Sequence, residues 1–142
     1  MRKEKTLIGI DPDIHKSGVA LLLGSQLELN NLSFFELFDY LQEKKASENL
    51  SVYVECGFLN GGNRHLKFGG SLALNSKIGE RIGSNHETAK KIIEMCEYLK
   101  ITHFKVKPTQ SKINSKTFQS MTGSNIRTNQ ECRDAFMLVF GR

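Results

Sequence analysis

The sequence predicts an α/β fold built on a five-stranded mixed sheet, in which an antiparallel three-strand meander is joined by parallel strands and flanked by helices. Two observations predict it. Three short strand-like segments follow one another closely near the beginning of the chain, and helical and strand-like segments then alternate to its end. Because 142 residues is the size of one compact domain, residues 1–142 are expected to form a single unit.

The opening meander is predicted from three segments, Thr6 to Asp11, Ser17 to Leu23 and Gln26 to Leu32. The first two are rich in apolar residues, and the third alternates apolar and polar side chains. Gly24 and Ser25 lie between the second and third segments and are typical of a tight turn. The three segments should therefore pair as neighbouring antiparallel strands.

A helix and a fourth strand are predicted next. Ser33 and Glu36 have the spacing of a capping box, and apolar residues then recur at helical spacing to about Lys45. The segment from Leu50 to Glu55 (LSVYVE) is rich in residues that favour strands and ends in an acid. The chain therefore returns to the sheet after its first helix.

The centre of the chain predicts a loop followed by a helix. Residues 57–83 contain seven glycines and several basic residues, a composition that favours a mobile basic loop. Ser84 and Glu87 form a second capping-box pattern, and an apolar stripe follows through Leu99. The second helix is therefore expected to begin at Ser84.

The last third of the chain predicts a strand and two helices. Alternation over Ile101 to Val106 indicates a fifth strand, which Pro108 stops. The polar segment 109–127 carries a weak signal for a short helix with Phe118 and Met121 inward. A third capping-box pattern predicts the final helix, which runs from Thr128 and Glu131 through Phe140 to a stop at Gly141.

The hydropathy and the cysteines of the chain indicate which class of protein it belongs to. No run approaches the ~18 apolar residues of a membrane span, so we expect a cytoplasmic protein without a membrane partner. Cys56, Cys96 and Cys132 lack the paired spacing of a zinc site or a redox motif and are expected to be reduced.

The net charge of +5 is distributed unevenly along the chain. Residues 1–55 carry 6 Lys and Arg against 9 Asp and Glu, whereas residues 56–128 carry 12 against 4. Such a basic stretch favours a polyanionic partner, because Lys and Arg neutralise phosphates and release counterions. A solvated lysine-rich face explains the same charge equally well.

Four acids are candidates for a metal site. Asp11 and Glu55 each end a predicted strand, the place where open α/β sheets form their ligand crevices, and Glu131 and Asp134 are three residues apart on one helix face. Gathered together, four carboxylates repel one another unless cations neutralise them. Magnesium prefers such oxygen ligands, and two magnesium ions can promote phosphodiester hydrolysis.

Other interpretations of these acids stay open. Asp11 before Pro12 is also typical of a residue that begins a turn, and Glu131 could return a hydrogen bond to the amide of Thr128 as part of a helix cap. Asp134 lies one turn further into the helix, where a cap role is excluded and aspartate is disfavoured. It is therefore the stronger ligand candidate of the helix pair.

These residues resemble a known family. The segment Ile8 to Pro12 (IGIDP), followed by Ser17 to Ala20 (SGVA), is similar to the opening of RuvC-type Holliday junction resolvases of the RNase H-like superfamily. Further similarities follow in order along nearly the whole chain: Val54–Glu55, Phe58, Gly79, Gly83 and the segment Glu131 to Ala135 (ECRDA).

The resemblance implies an RNase H-like fold and a homodimer that cuts four-way DNA junctions symmetrically during recombination and repair. It also implies that Asp11, Glu55, Glu131 and Asp134 bind two Mg²⁺ or Mn²⁺ ions and carry the catalysis. Phe58 would stack on or wedge between bases, and Lys112 would approach a phosphate. The candidate nucleic-acid contacts of the basic stretch are Arg64, Lys67, Lys77 and Arg81.

The leading hypothesis is therefore a magnesium-dependent, structure-selective endodeoxyribonuclease. The alternatives are a nucleic-acid-binding module that keeps the fold without catalysis, and an RNA-processing nuclease of the same fold. The sequence departs from the family at Asp13 and His15, where small residues are usual, and between Glu55 and Gly79, where the segment is longer.

Overall fold

The computed structural model describes residues 3–47, 49–60, 71–109 and 111–142. These residues form five strands and four α-helices, with a short 3-10 turn at Gly57–Leu59 after the fourth strand. In chain order the elements are β1 Thr6–Asp11, β2 Ser17–Leu23, β3 Gln26–Leu32, α1 Phe34–Lys44, β4 Leu50–Glu55, α2 Leu72–Tyr98, β5 His103–Val106, α3 Ser115–Thr122 and α4 Gln130–Val139.

The strands form one mixed sheet in the order β3-β2-β1-β4-β5. β1 pairs antiparallel with β2 and β2 antiparallel with β3, whereas β4 is parallel to both β1 and β5. The predicted five-stranded mixed sheet, with its opening meander, is thereby confirmed. The antiparallel meander thus forms one side of the sheet, and the parallel strands β4 and β5 form the other.

One face of the sheet carries the larger core. Because side chains alternate along a strand, Ile8 and Ile10 of β1 point to the face that α1 and α2 cover. Leu37 and Leu41 of α1 are completely buried there, as expected from the apolar spacing that predicted this helix. Ser33 and Glu36 form the predicted capping box at its start. This face supplies most of the apolar burial of the described residues.

The opposite face holds α4 at unusually short range. A Cβ atom on Gly9 would overlap the carbonyl oxygen of Ala135, and one on Gly18 would overlap the carbonyl oxygen of Glu131. Glycines at these two positions therefore let the backbone of α4 lie directly on β1 and β2. A smaller core forms beside this contact, where Phe118 of α3 packs edge-on against Phe136 at 5.1 Å between ring centroids.

The loop predicted over residues 57–83 is wrong for its second half. α2 begins at Leu72, and Ser71 caps it by accepting a hydrogen bond from the Leu74 amide at 3.0 Å. The helix passes through Gly79 and Gly83 although glycine costs a helix about 1 kcal/mol relative to alanine. Ser84 is therefore an interior residue, and its carbonyl accepts a hydrogen bond from the Thr88 hydroxyl.

The third predicted capping box is also wrong in its first residue. Asn129, not Thr128, caps α4, and its side-chain oxygen accepts a hydrogen bond from the Cys132 amide at 3.0 Å. The Thr128 hydroxyl instead accepts from the Arg133 guanidinium at 2.8 Å. The helix still ends as predicted, with Gly141 in the left-handed region at φ +80°.

Two elements predicted in the last third of the chain are present in the structure, one of them shortened. The fifth strand is shorter than predicted and begins at His103, because Lys100 has a positive φ and the Ile101 amide still bonds to α2. The weakly predicted short helix exists as α3, with Phe118 fully buried. Across the described ranges, no helix combines the length and apolar character that a bilayer crossing requires.

Candidate active site

Two of the candidate acids end adjacent strands of the sheet. Asp11 is the last residue of β1 and Glu55 the last of β4, and the register pairs Ile10 with Val54 immediately before them. Parallel neighbours end at the same edge, so the two carboxylates leave the sheet side by side, both half-buried. They line one cavity of about 200 Å³, which Lys112 also borders.

The other two acids lie on α4, above that edge. Gly18 pairs with Asp11 across the β1–β2 ladder, and the backbone of Glu131 rests on Gly18. Asp134 follows one turn later, with a side chain only 11% exposed. Asp134 borders a second small cavity together with Glu55, whereas Glu131 is exposed. Folding thus brings Asp11, Glu55 and Asp134 together, with Glu131 at the rim.

The buried position of Asp11 makes its negative charge costly. Burial raises the pKa of Asp11 from its ordinary 3.8 to about 8, and the nearby charges of Glu55, Asp134 and, less strongly, Glu131 add to the rise. The same causes, burial first and then Asp134, raise the pKa of Glu55. The edge of the sheet is therefore a place where negative charge exceeds what the protein itself neutralises.

Lys112 is the cation that opposes this charge. Its ammonium nitrogen lies 2.7 Å from the Asp134 Oδ2 atom and lowers the pKa of both Asp11 and Glu55. Burial lowers the pKa of Lys112 itself, but the hydrogen bond to Asp134 and the three carboxylate charges outweigh burial and leave that pKa raised. Gln130 donates to the other oxygen of Asp134 at 2.7 Å. Both oxygens of Asp134 are thus hydrogen-bonded within the protein.

The donor set is suited to a hard divalent cation. All four candidates are carboxylates, the type of ligand that Mg²⁺ and Mn²⁺ prefer, and a cation beside them would offset the burial and the repulsion that raise the pKa of Asp11. In the described part of the chain, no three His, Cys, Asp or Glu side chains are already arranged as a metal site. Lys112 holds Asp134, so a metal would have to replace that ion pair.

The candidate nucleic-acid contacts lie in several places. Phe58 follows Glu55 in the 3-10 turn, half-buried, with its ring edge-on to His86 and the Lys90 ammonium 5.5 Å from its centroid. Lys77 and Arg81 are exposed on the first half of α2, not on a loop. Arg64 and Lys67 lie outside the described residues.

The alternative interpretations of the acids can be compared with the local contacts. Asp13, the additional acid of the β1–β2 connection, accepts a hydrogen bond from the His15 amide at 2.9 Å and stabilises the turn. Because Asn129 caps α4, Glu131 does not form a capping box with Thr128. The turn interpretation thus describes Asp13 better than Asp11.

Sequence reasoning missed three residues that shape the site. Asn85 and His86 of α2 line the 200 Å³ cavity with Asp11 and Glu55, and the Asn85 Oδ1 atom is buried without a hydrogen-bond partner in the described residues. They were missed because no local pattern in the sequence shows where α2 crosses the sheet. Gln130 could have been found, since it precedes Asp134 by the four residues that bring two side chains together on a helix.

No protein-family model matches the chain, and no curated protein is significantly similar to it in sequence. Among solved structures, the chain is similar to RuvC of T. thermophilus in complex with a Holliday junction substrate, with 15% identity, coverage of 94% of this chain and 89% of that one, and a TM-score of 0.48. It is also similar to a Thermus thermophilus RuvC structure, at 14% identity, coverage of 94% and 90%, and a TM-score of 0.46.

Proposed function

We propose that this protein is a metal-dependent endonuclease that hydrolyses phosphodiester bonds in branched DNA, with the four-way junction as its preferred substrate. The observation that carries the proposal is the carboxylate group at the ends of β1 and β4. Its members come from distant parts of the sequence, and burial, with the added repulsion of the neighbouring carboxylates, raises the pKa of Asp11 to about 8. Such a group of carboxylates would hold divalent cations, which take oxygen ligands and also bind phosphate.

In this mechanism Asp11, Glu55, Glu131 and Asp134 would hold two Mg²⁺ or Mn²⁺ ions. When bound, such ions supply an activated water and stabilise the leaving oxygen of an in-line displacement. Asp11 and Glu55 fix the strand side of the site, because both are attached to the paired ends of the sheet. Lys112 leaves Asp134 as substrate arrives and contacts a phosphate, for which an ammonium group is well suited.

The remaining chain would position the DNA. Phe58, close to Glu55 and half-buried, would stack on or wedge between bases at the branch point. Lys77 and Arg81, with Arg64 and Lys67, would contact phosphates further from the cut. Since a four-way junction carries two equivalent strands, the active form would be a homodimer with twofold symmetry.

A second candidate function is binding of nucleic acid without catalysis. The Lys112–Asp134 ion pair favours it, because Asp134 is already neutralised without a metal. The two candidates differ in magnesium uptake. A nuclease should bind magnesium in calorimetry with a signal that Asp11→Asn and Glu55→Gln both weaken, whereas a binding module should show no such carboxylate-dependent uptake.

The decisive experiment incubates the protein with labelled four-way junctions and Mg²⁺ or Mn²⁺. We expect symmetric cuts near the branch point by the wild type and none by Asp11→Asn, although both bind the junction. Matched DNA and RNA versions of one junction would separate a deoxyribonuclease from an RNA-processing enzyme. The proposal fails if the wild type binds branched, duplex and single-stranded substrates but cuts none of them with either metal.

A further inference from the structure

A second cavity adjoins the acids on the side away from α2. It encloses about 90 Å³ between the end of α4 and the segment that follows β5. Its charged lining residues are the acids Glu55 and Asp134 and the cations Lys107, Lys112 and Arg142. Three cations around a space this small, directly beside the candidate catalytic carboxylates, indicate a site for an anionic group.

Arg142 is held in a defined position at this cavity. Its Nε–H donates to the Leu138 carbonyl at 2.7 Å, and its guanidinium carbon lies 4.6 Å from the centroid of the Tyr53 ring. Tyr53 in turn stacks on Phe104 of β5. These contacts fix the planar group and use only one of its five N–H donors, so the remaining donors keep the fork geometry that suits phosphate oxygens.

Two of the three cations around the cavity are available to pair with an anion. Lys112 is paired with Asp134 at 2.7 Å. Within the described ranges, neither Lys107 nor Arg142 forms an ion pair with a carboxylate, although both border the same space. The hydroxyl-bearing side chains of Thr109 and Ser111 also line it and can donate further hydrogen bonds.

We propose that this cavity binds a phosphodiester group of the substrate strand next to the one that is cleaved, with Arg142 and Lys107 as its main contacts. The inference rests on the proposed function for its substrate class and adds the residues that fix the register of the strand. Binding the neighbouring phosphate here sets the scissile phosphate beside Glu55, which borders both this cavity and the one that Asp11 lines. Arg142 and Lys107 are thus positioning residues.

The test measures binding of the full-length protein to a four-way DNA junction in Ca²⁺, with one uncharged methylphosphonate linkage placed at a time around the branch point. For the wild type, we expect one linkage to weaken binding about tenfold, the size of a charged hydrogen bond. Arg142→Ala should bind the unmodified junction about tenfold less tightly and be insensitive to that linkage. Arg142→Lys should retain part of the sensitivity.

The matched control is Arg127→Ala, since Arg127 borders a different cavity, beside β3 and the start of α4. This variant should keep the sensitivity of the wild type to the same linkage. Equal sensitivity of wild type and Arg142→Ala at every linkage would overturn the inference, even if Arg142→Ala melts at a lower temperature, because Arg142 would then only stabilise the end of α4.

The readout separates this inference from the proposed function. If wild type shows the linkage effect and Arg142→Ala loses it, but no junction is cut in Mg²⁺ or Mn²⁺, the phosphate site stands and the nuclease proposal fails. If junctions are cut and no single linkage matters for binding, the nuclease proposal stands and the phosphate site fails. A wild type that binds no junction overturns both.

Discussion

The strand pair of acids, Asp11 and Glu55, differs from the helix pair, Glu131 and Asp134, in how its charge is compensated. The strand pair is half-buried and has no direct ion pair among the described residues, and the pKa of both members is raised. Asp134 of the helix pair is hydrogen-bonded by Lys112 and Gln130, and Glu131 faces solvent. The two pairs lie in one site, but within the described residues only the helix pair has a direct cationic partner, which is Lys112.

This difference assigns different tasks to the pairs. The backbone pairing of β1 and β4 fixes the strand pair whatever its charge, so its repulsion is built into the fold. The helix pair depends on side-chain contacts, which substrate or metal can exchange. The strand pair should therefore have the larger effect on metal affinity and on the pH dependence of stability. The position of the helix pair should depend on the polar side chains that contact it.

The largest effect should come from the strand pair. Asp11→Asn removes a proposed metal ligand from the centre of the carboxylate group, and we expect a loss of junction cleavage of about 1,000-fold or more, since metal stabilisation of the transition state contributes several kcal/mol. Single-turnover cleavage at saturating protein measures this. A loss smaller than that of Glu131→Gln would reverse the ranking of the two pairs.

The position of the helix pair should depend on Arg133, which is 9% exposed. Its guanidinium donates to the Ile113 carbonyl, the Ser115 hydroxyl, the Thr128 side chain and Gln130, and so ties α4 to the segment that carries Lys112. Arg133→Met should lower the free energy of unfolding by about 2 to 4 kcal/mol, because several partly buried acceptors lose their donor. Urea denaturation measures the loss.

Arg127→Met is the matched control for that experiment, because Arg127 is exposed and lies one residue before Thr128. It should change the free energy of unfolding by about 0.5 kcal/mol or less. If the two variants were equally stable, the Arg133 network would contribute nothing to the position of α4.

The strand pair should also make metal-free stability depend on pH. The pKa of Asp11 is about 8 in the folded protein and 3.8 ordinarily, so the folded state binds a proton that the unfolded state releases between these values. Its contribution to stability is full below about pH 4 and is lost as the pH rises to about 8. The melting temperature of wild type should therefore fall relative to that of Asp11→Asn across this range.

Magnesium should raise the melting temperature of wild type more at pH 8 than at pH 5.5, since it binds the ionised carboxylates. Thermal melts of wild type and Asp11→Asn at both pH values, with and without the metal, measure this. A melting-temperature difference between the two proteins that is constant with pH would contradict the electrostatic account of Asp11.

The smallest effect should be that of Glu131→Gln. Its side chain is exposed, and its charge is the weakest of the three acidic contributions to the raised pKa of Asp11. We expect about a tenfold loss of cleavage, against about 100-fold for Asp134→Asn, since removing a proposed ligand at the rim would disturb bound metals less. Equal losses would show that the two helix acids have the same role.

The order of strands and helices could be predicted because each has a local signal. The apolar runs of β1 and β2, the turn at Gly24 and the capping box at Ser33 all lie within a few residues of the structure they specify. The beginning of α2 was not predicted, because glycines and charges interrupt the short apolar series Leu74, Ile78 and Ile82 that precedes Ala89. That half of the helix is largely exposed, so no core residue marks it.

The positions of the candidate carboxylates could be predicted from the sequence, but their contacts with other side chains could not. Asp11 and Glu55 end apolar strands, a position that can be found in the sequence. The ion pair of Lys112 with Asp134 joins residues 22 positions apart, and the packing of Asn85 and His86 beside Glu55 depends on where α2 crosses the sheet. Such contacts follow from tertiary structure and have no local pattern.

The glycines under α4 have a consequence for how the protein tolerates change. Gly9 contacts Ala135 and Gly18 contacts Glu131, so a methyl group at either position would overlap the backbone of α4 and push the helix away from the sheet. Because these two glycines have no side chain, they set the distance between the strand pair and the helix pair of acids. An alanine at either position would therefore change the geometry of the acid site without altering any charged group in the chain.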